Sequence, residues 1–178
     1  MRAWLYVGEV SAAMLCGLAL LWAELPAHAE QRLQSQHQQA DSILVEKSAR
    51  KLHLLKAGRI LRTFDVSLGL APVGPKQREG DFRTPEGVYR LEARNSNSDY
   101  FLSIKVSYPN AEDRARARTQ GVDPGGQIMI HGLPNQPKYD APRYRGWDWT
   151  DGCIAVSNSD MVDIWLMTQE STRIEIRP

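Results

Sequence analysis

From Ser42 onward the chain breaks into short apolar runs separated by turn residues, beginning with Ile43 to Val45, Leu52 to Leu55 and Ile60 to Leu68. Runs of this length and punctuation predict strands. Ala57-Gly58, between the second and third runs, fits a tight hairpin. Alternation in Lys51-Leu52-His53-Leu54 puts His53 on a polar face, where it needs no chemical role. Gly and Pro then crowd positions 69–87, which predicts a long structured loop. Strand character returns at Val88 to Ala93, Phe101 to Val106, Gln127 to Ile130 and Thr172 to Ile176.

Two segments read as helices. Behind Asn110, acids open and arginines close Ala111 to Arg118, the polarity a helix dipole favours. Ser157 to Ser159 supply cap candidates for the second, in which Met161, Ile164, Trp165 and Thr168 share a core-facing side. The chain's 178 residues leave room for one domain with a real core. A hydrophobic fraction of 42% and a charged fraction of 24% are those of a globular chain. A formal net charge of +1, with no dense Lys/Arg block, argues against a nucleic-acid partner.

The first 29 residues differ from the rest. Arg2 precedes an apolar run from Val10 to Trp22, and Ala27-His28-Ala29 offers small residues where a signal peptidase cuts. Residues 1–29 are therefore expected to be a signal peptide, or an uncleaved anchor if Trp4 to Val7 lengthen the run. Membrane contact is expected only through that segment. Positions 30–40 form a Gln-rich, solvated lead-in, and 41–178 the folded domain, exported to the periplasm or cell envelope.

Export separates the two cysteines. Cys16 lies in the apolar run, behind Ala13-Met14-Leu15, which lacks the small residue of a lipoprotein signal. Cys153 is then the one mature thiol, in a compartment where cysteines tend to pair. It is either a small buried hydrophobe or a nucleophile. A nucleophilic thiol needs a base that makes thiolate at neutral pH, and donors for the developing oxyanion. Of the mature histidines, His37 sits in the lead-in and His53 in an alternating strand, leaving His131 at a strand end before Gly132. Gly152, directly before the thiol, lets backbone amides turn toward a bound carbonyl.

The spaced motif Ile128-Met129-Ile130-His131-Gly132 with Thr150-Asp151-Gly152-Cys153-Ile154-Ala155-Val156-Ser157-Asn158 resembles the signature of the L,D-transpeptidase catalytic domain, the YkuD-type fold. Gly74-Pro75-Lys76, Gly80-Asp81, Thr84 to Tyr89 and Ser107-Tyr108-Pro109-Asn110 are also similar to segments of that family, and the likeness covers roughly 41 to 177. The resemblance implies a mainly β, sandwich-like or barrel-like domain with few short helices. It implies Cys153 as nucleophile, His131 as general base and then acid, and the Gly152 and Cys153 amides as oxyanion donors. Peptidoglycan stem peptides are the implied substrates, in cell-wall biogenesis, with no metal or organic cofactor.

Two departures stand at the site. Asp151 occupies the position where most such sequences have His, and Ala155 one where they have Arg. Arg143 or Arg145 is the candidate to replace that cation, with Asp151, Trp149 and Tyr108 as further substrate contacts and Asn158 supporting the loop. Trp149-Thr150-Asp151-Gly152-Cys153-Ile154-Ala155-Val156 is similar to a branch that includes hydrolases, some detaching an outer-membrane lipoprotein from peptidoglycan at a diaminopimelate-lysine bond. Transfer, hydrolysis and a non-catalytic peptidoglycan-binding module are thus three readings. A zinc hydrolase is excluded by too few ligands at metal spacing.

Overall fold

A computed structural model describes residues 38–178. The expected signal peptide, Cys16, His37 and most of the lead-in lie outside the described residues. In chain order the elements are β1 (Ser42–Glu46), β2 (Lys51–Lys56), β3 (Arg59–Asp65), β4 (Gly87–Ser98), β5 (Phe101–Val106), α1 (Ala111–Gln120), β6 (Met129–His131), a single 3-10 turn (Ala141–Tyr144), β7 (Ile154–Ala155), α2 (Asn158–Met167) and β8 (Arg173–Arg177).

The strands form one mixed sheet in the order β3-β2-β1-β8-β4-β5-β6-β7. β1 runs parallel to β8 and β6 parallel to β7; the other neighbours are antiparallel. Beyond β3, Ser67 bridges Ala155 of β7 and Gly69 bridges Thr150, which brings the two ends of the sheet together. The mainly β, barrel-like expectation holds. On β1, β2 and β8 alternate apolar residues point inward: Ile43, Val45, Leu52, Leu54, Ile174 and Ile176 are at most 2% exposed. Each such side chain contributes roughly 1.5–3 kcal/mol by leaving water.

Several boundaries move for reasons of partnership. The third predicted strand was expected to reach Leu68, but β3 stops at Asp65 because the chain then leaves β2 for β7. β4 runs past Ala93 to Ser98, its polar second half held by β5 across two register shifts. Neither change leaves an apolar signature. At the end of the lead-in, Gln39 Nε2 donates to Leu166 O at 2.8 Å, and Ala40, 6% exposed, donates its N–H to Met167 O at 2.7 Å. The lead-in therefore ends docked on α2 and is not solvated throughout.

Both helices form where expected. Asn110 Oδ1 accepts the Asp113 N–H at 3.0 Å, Asp113 Oδ2 accepts the Asn110 N–H at 3.0 Å, and Gly121 closes α1 in the left-handed region at φ 64°. Ser157 Oγ caps α2 through the Asp160 N–H at 3.1 Å, and Met161, Ile164 and Met167 are buried. Among the described residues, no helix is long and apolar enough to cross a membrane.

Candidate active site

Short parallel pairing builds the site. β6 and β7 pair Ile130 with Ile154 and His131 with Ala155, both isoleucines being fully buried. His131 thus closes one strand while Cys153 immediately precedes the other. Both side chains line one cavity of about 360 Å³, with Tyr100, Ser103, Trp149 and Asp151 among its walls.

Cys153 Sγ accepts the Met129 N–H at 3.4 Å and faces Gln127 O at 3.6 Å; His131 is not among its hydrogen-bond partners. His131 is 4% exposed, and its Nδ1 lies 2.7 Å from Gly132 O. A carbonyl oxygen only accepts, so Nδ1 carries the proton and Nε2 keeps a lone pair. Tyr100 and Trp149 enclose the imidazole, with ring centroids 4.6 and 5.7 Å away. Burial drives the His131 pKa down to about 4, against a weaker upward pull from the Gly132 carbonyl. Burial likewise pushes the Cys153 thiol up, aided by Asp151 and opposed by the Met129 N–H and Lys76. Desolvation thus disfavours the charged form of each partner, which favours a neutral thiol beside a neutral imidazole at rest over a preformed thiolate.

Gly152 is required by the backbone. Its φ is 130°, and a Cβ there would stand 2.6 Å from Arg83 O. Its N–H donates to Thr150 Oγ1 at 3.1 Å, and Thr150 Oγ1 donates to Cys153 O at 2.8 Å. Of the two expected oxyanion amides, the one at Gly152 is thus engaged at rest, while the Cys153 N–H has no acceptor among the described residues.

A brace not foreseen from sequence holds the Trp149–Thr150 segment. Asp148 accepts the Leu68 N–H at 2.9 Å and pairs with Arg50 at 2.7 Å, and the Trp149 and Thr150 amides donate to Leu68 O. The Gly/Pro loop is pinned in a similar way. Lys47, 2% exposed, donates to Gly74 O, Thr84 O and Glu86; Lys76, 3% exposed, pairs with Asp81 at 2.7 Å. The quoted Gly74 to Tyr89 block is therefore scaffold.

Asp151 and Trp149 line the cavity. Three other expected contacts do not. Arg143 lies over the Tyr139 ring at 4.3 Å, and Arg145 borders a separate recess of about 40 Å³ that Trp149 also walls. Tyr108 is 3% exposed, donates its hydroxyl to Pro124 O at 2.8 Å, and has its phenol pKa raised by burial, so it serves the core. Ala155, 2% exposed, packs inward. Gly132 and Asn158 act together: Asn158 Oδ1 accepts the Leu133 N–H at 2.8 Å and would stand 2.6 Å from a Cβ on residue 132.

Sequence reasoning passed over Asp99, Tyr100, Ser103, Gln127 and Met129, all of which line the cavity. Ser103 carried a signal, as a small polar residue inside the apolar run Phe101 to Val106. Among the described residues, no group of three or more His, Cys, Asp or Glu side chains is arranged to hold a metal ion.

Residues 40–176 match the YkuD family, the L,D-transpeptidase catalytic domain. A 96-residue segment is 36% identical to YafK of Escherichia coli (strain K12), provisionally named an L,D-transpeptidase, and covers 51% of this chain and 37% of YafK. Pgp2 of Campylobacter jejuni, described as a helical cell shape determining protein, aligns with a TM-score of 0.55 at 24% identity over 83% of this chain and 54% of its own. Bd1075 of Bdellovibrio bacteriovorus aligns with a TM-score of 0.53 at 28% identity over 76% of this chain and 47% of its own. The chain therefore spans little more than half, or less, of each of these relatives.

Proposed function

The chain belongs to the L,D-transpeptidase catalytic-domain (YkuD) family, and from that premise we propose that it is a cell-envelope cysteine acyltransferase acting on diaminopimelate-containing peptidoglycan stem peptides. The observation that carries this reading is the shared cavity of Cys153 and His131 at the end of one parallel strand pair.

The chemistry starts from the neutral pair. Cys153 Sγ attacks the peptide carbonyl as its proton passes to His131 Nε2, so the C–S bond forms while positive charge develops on an imidazole already held through Nδ1. The Cys153 N–H is the donor free to meet the oxyanion, and Gly152 sets its direction. Collapse breaks the C–N bond, and His131 returns the proton to the departing amine. An incoming amine or water then gives its proton to Nε2, attacks the thioester and releases the thiol.

Hydrolysis is the second reading, and one observation favours it. Among the described residues no Lys or Arg lines the cavity, and the position two residues past the nucleophile is the buried Ala155. The site thus offers no cation to the carboxylate of a peptide acceptor, whereas water needs none. On this reading the bond cleaved is the diaminopimelate-lysine link to an outer-membrane lipoprotein. A non-catalytic binder has no use for a nucleophile and base facing one cavity. Either enzymatic reading needs the domain outside the cytoplasm, with the N-terminal segment as its export signal.

Incubating the purified protein with defined muropeptides, one carrying a diaminopimelate-linked lysine peptide, separates these outcomes by mass spectrometry. New cross-links indicate transfer, released lysine peptide indicates hydrolysis, and unchanged muropeptides with either substrate refute both.

A further inference from the structure

Among the described residues, the walls of the cavity shared by Cys153 and His131 carry two carboxylates and no Lys or Arg. Asp99 comes from the turn between β4 and β5, and Asp151 from the loop before Cys153. Neither carboxylate takes part in a side-chain hydrogen bond or ion pair among the described residues. Nearby bases are held elsewhere: Lys76 by Asp81 at 2.7 Å, Arg50 by Asp148 at 2.7 Å, and Arg143 over Tyr139 at 4.3 Å.

A second, independent feature lies deeper. Ser103 is 5% exposed, pairs with His131 across β5 and β6 and lines the same cavity, and its hydroxyl has no hydrogen-bond partner among the described residues. Because Ser103 lines the cavity, its hydroxyl is available to a polar group that enters it. Tyr100 and Trp149 stack with centroids 6.2 Å apart, giving an aromatic wall along which an aliphatic stem can lie.

We infer that this cavity holds a side-chain ammonium of the substrate peptide, with Asp99 and Asp151 as its counter-ions and Ser103 Oγ as a third acceptor. An ammonium brings three N–H donors and no acceptor, and these three side chains supply acceptors only toward it. A substrate carboxylate in the same place meets two like charges. The inference rests on the reading of the cavity as a stem-peptide site and names the group that the site selects.

The test uses two peptides identical except that the side-chain amine of the dibasic residue is free in one and acetylated in the other. Each is titrated by calorimetry into the Cys153→Ala protein, and each is turned over by the unaltered protein. The free-amine peptide should bind about fivefold tighter at low salt, with the preference shrinking as salt screens the exposed carboxylates. Asp99→Asn and Asp151→Asn, made in the Cys153→Ala background, should each narrow the preference. Their combination should remove it, and Ser103→Ala should narrow it as well. Equal binding of the two peptides overturns the inference and leaves the acyl-transfer reading standing. A preference that survives the double substitution overturns the assignment to these residues. Failure of folded protein to bind or turn over either peptide overturns both readings. The peptide pair needs no substitution in the cavity walls, so the comparison does not depend on the variants folding.

Discussion

His131 Nδ1 lies 2.7 Å from the carbonyl oxygen of Gly132, so the backbone of the next residue, and not a third side chain, holds the imidazole. Asn158 steadies that backbone from α2 by accepting the Leu133 N–H at 2.8 Å. The consequence is a base whose Nε2 is free by default and whose orientation depends on the chain path after β6.

His131→Ala should therefore lower kcat on stem peptides by about 10²–10⁴, the range of general acid–base catalysis. Mass-spectrometric rate measurements, with circular dichroism to confirm folding, check this. A loss below tenfold in folded protein assigns proton transfer to another group.

Thiol reactivity follows from the neutral pair. Burial raises the Cys153 pKa and Asp151 adds to it. At pH 7, iodoacetamide should label Cys153 more slowly than free cysteine, with the rate rising as pH passes the ordinary thiol range. Asp151→Asn should speed labelling, since it removes a negative charge that opposes the thiolate. Labelling of the unaltered protein faster than free cysteine would reveal an ion pair at rest.

Acid should loosen the fold through His131. Its pKa falls from 6.5 in the unfolded chain to about 4 in the folded protein, so between those values the unfolded state binds more protons. The associated stability is complete above pH 6.5 and is lost as pH falls toward 4, by about 3 kcal/mol. Urea unfolding across that interval measures the slope, and His131→Gln should flatten it. A slope unchanged by the substitution contradicts a buried neutral imidazole.

Gly152→Ala should destabilise the domain by about 1–3 kcal/mol and abolish turnover. The new Cβ would stand 2.6 Å from Arg83 O on a backbone with φ of 130°, so relief requires moving the residue that carries Cys153. Thermal unfolding and turnover together test it, and a stable, active variant would show that the loop has room to shift.

Asp148→Ala should cost about 1–3 kcal/mol and lower activity, although Asp148 does not line the cavity. It leaves the Leu68 N–H unpaired and frees Arg50, so Trp149 and Thr150 lose their brace. Asp148→Asn should restore part of the stability by keeping an acceptor for Leu68. Equal losses in both variants would assign the effect to the ion pair alone.

The elements most legible in the sequence were those with a local cause. Both helices announce themselves through caps at Asn110 and Ser157, and β1, β2 and β8 through alternating apolar residues. β7 did not, because two residues carry no period; it exists because Ile154 and Ala155 find β6 on one side and Ser67 on the other. Arg143, Arg145 and Tyr108 were expected at the substrate from chemistry and nearby motif, but side-chain type does not encode which cavity a residue borders.

The sequence by itself determined the nucleophile and base as candidates, because the thiol outside the N-terminal apolar run, a strand-end His-Gly and their spacing leave few other assignments. Tertiary structure alone decided their state and company. Burial disfavours both charged forms, the Gly132 carbonyl selects the imidazole tautomer, and strands distant in the chain bring Asp99 and Ser103 to the cavity that Cys153 lines. Desolvation and cross-strand proximity are properties of the packed sheet, and no local run of residues carries them.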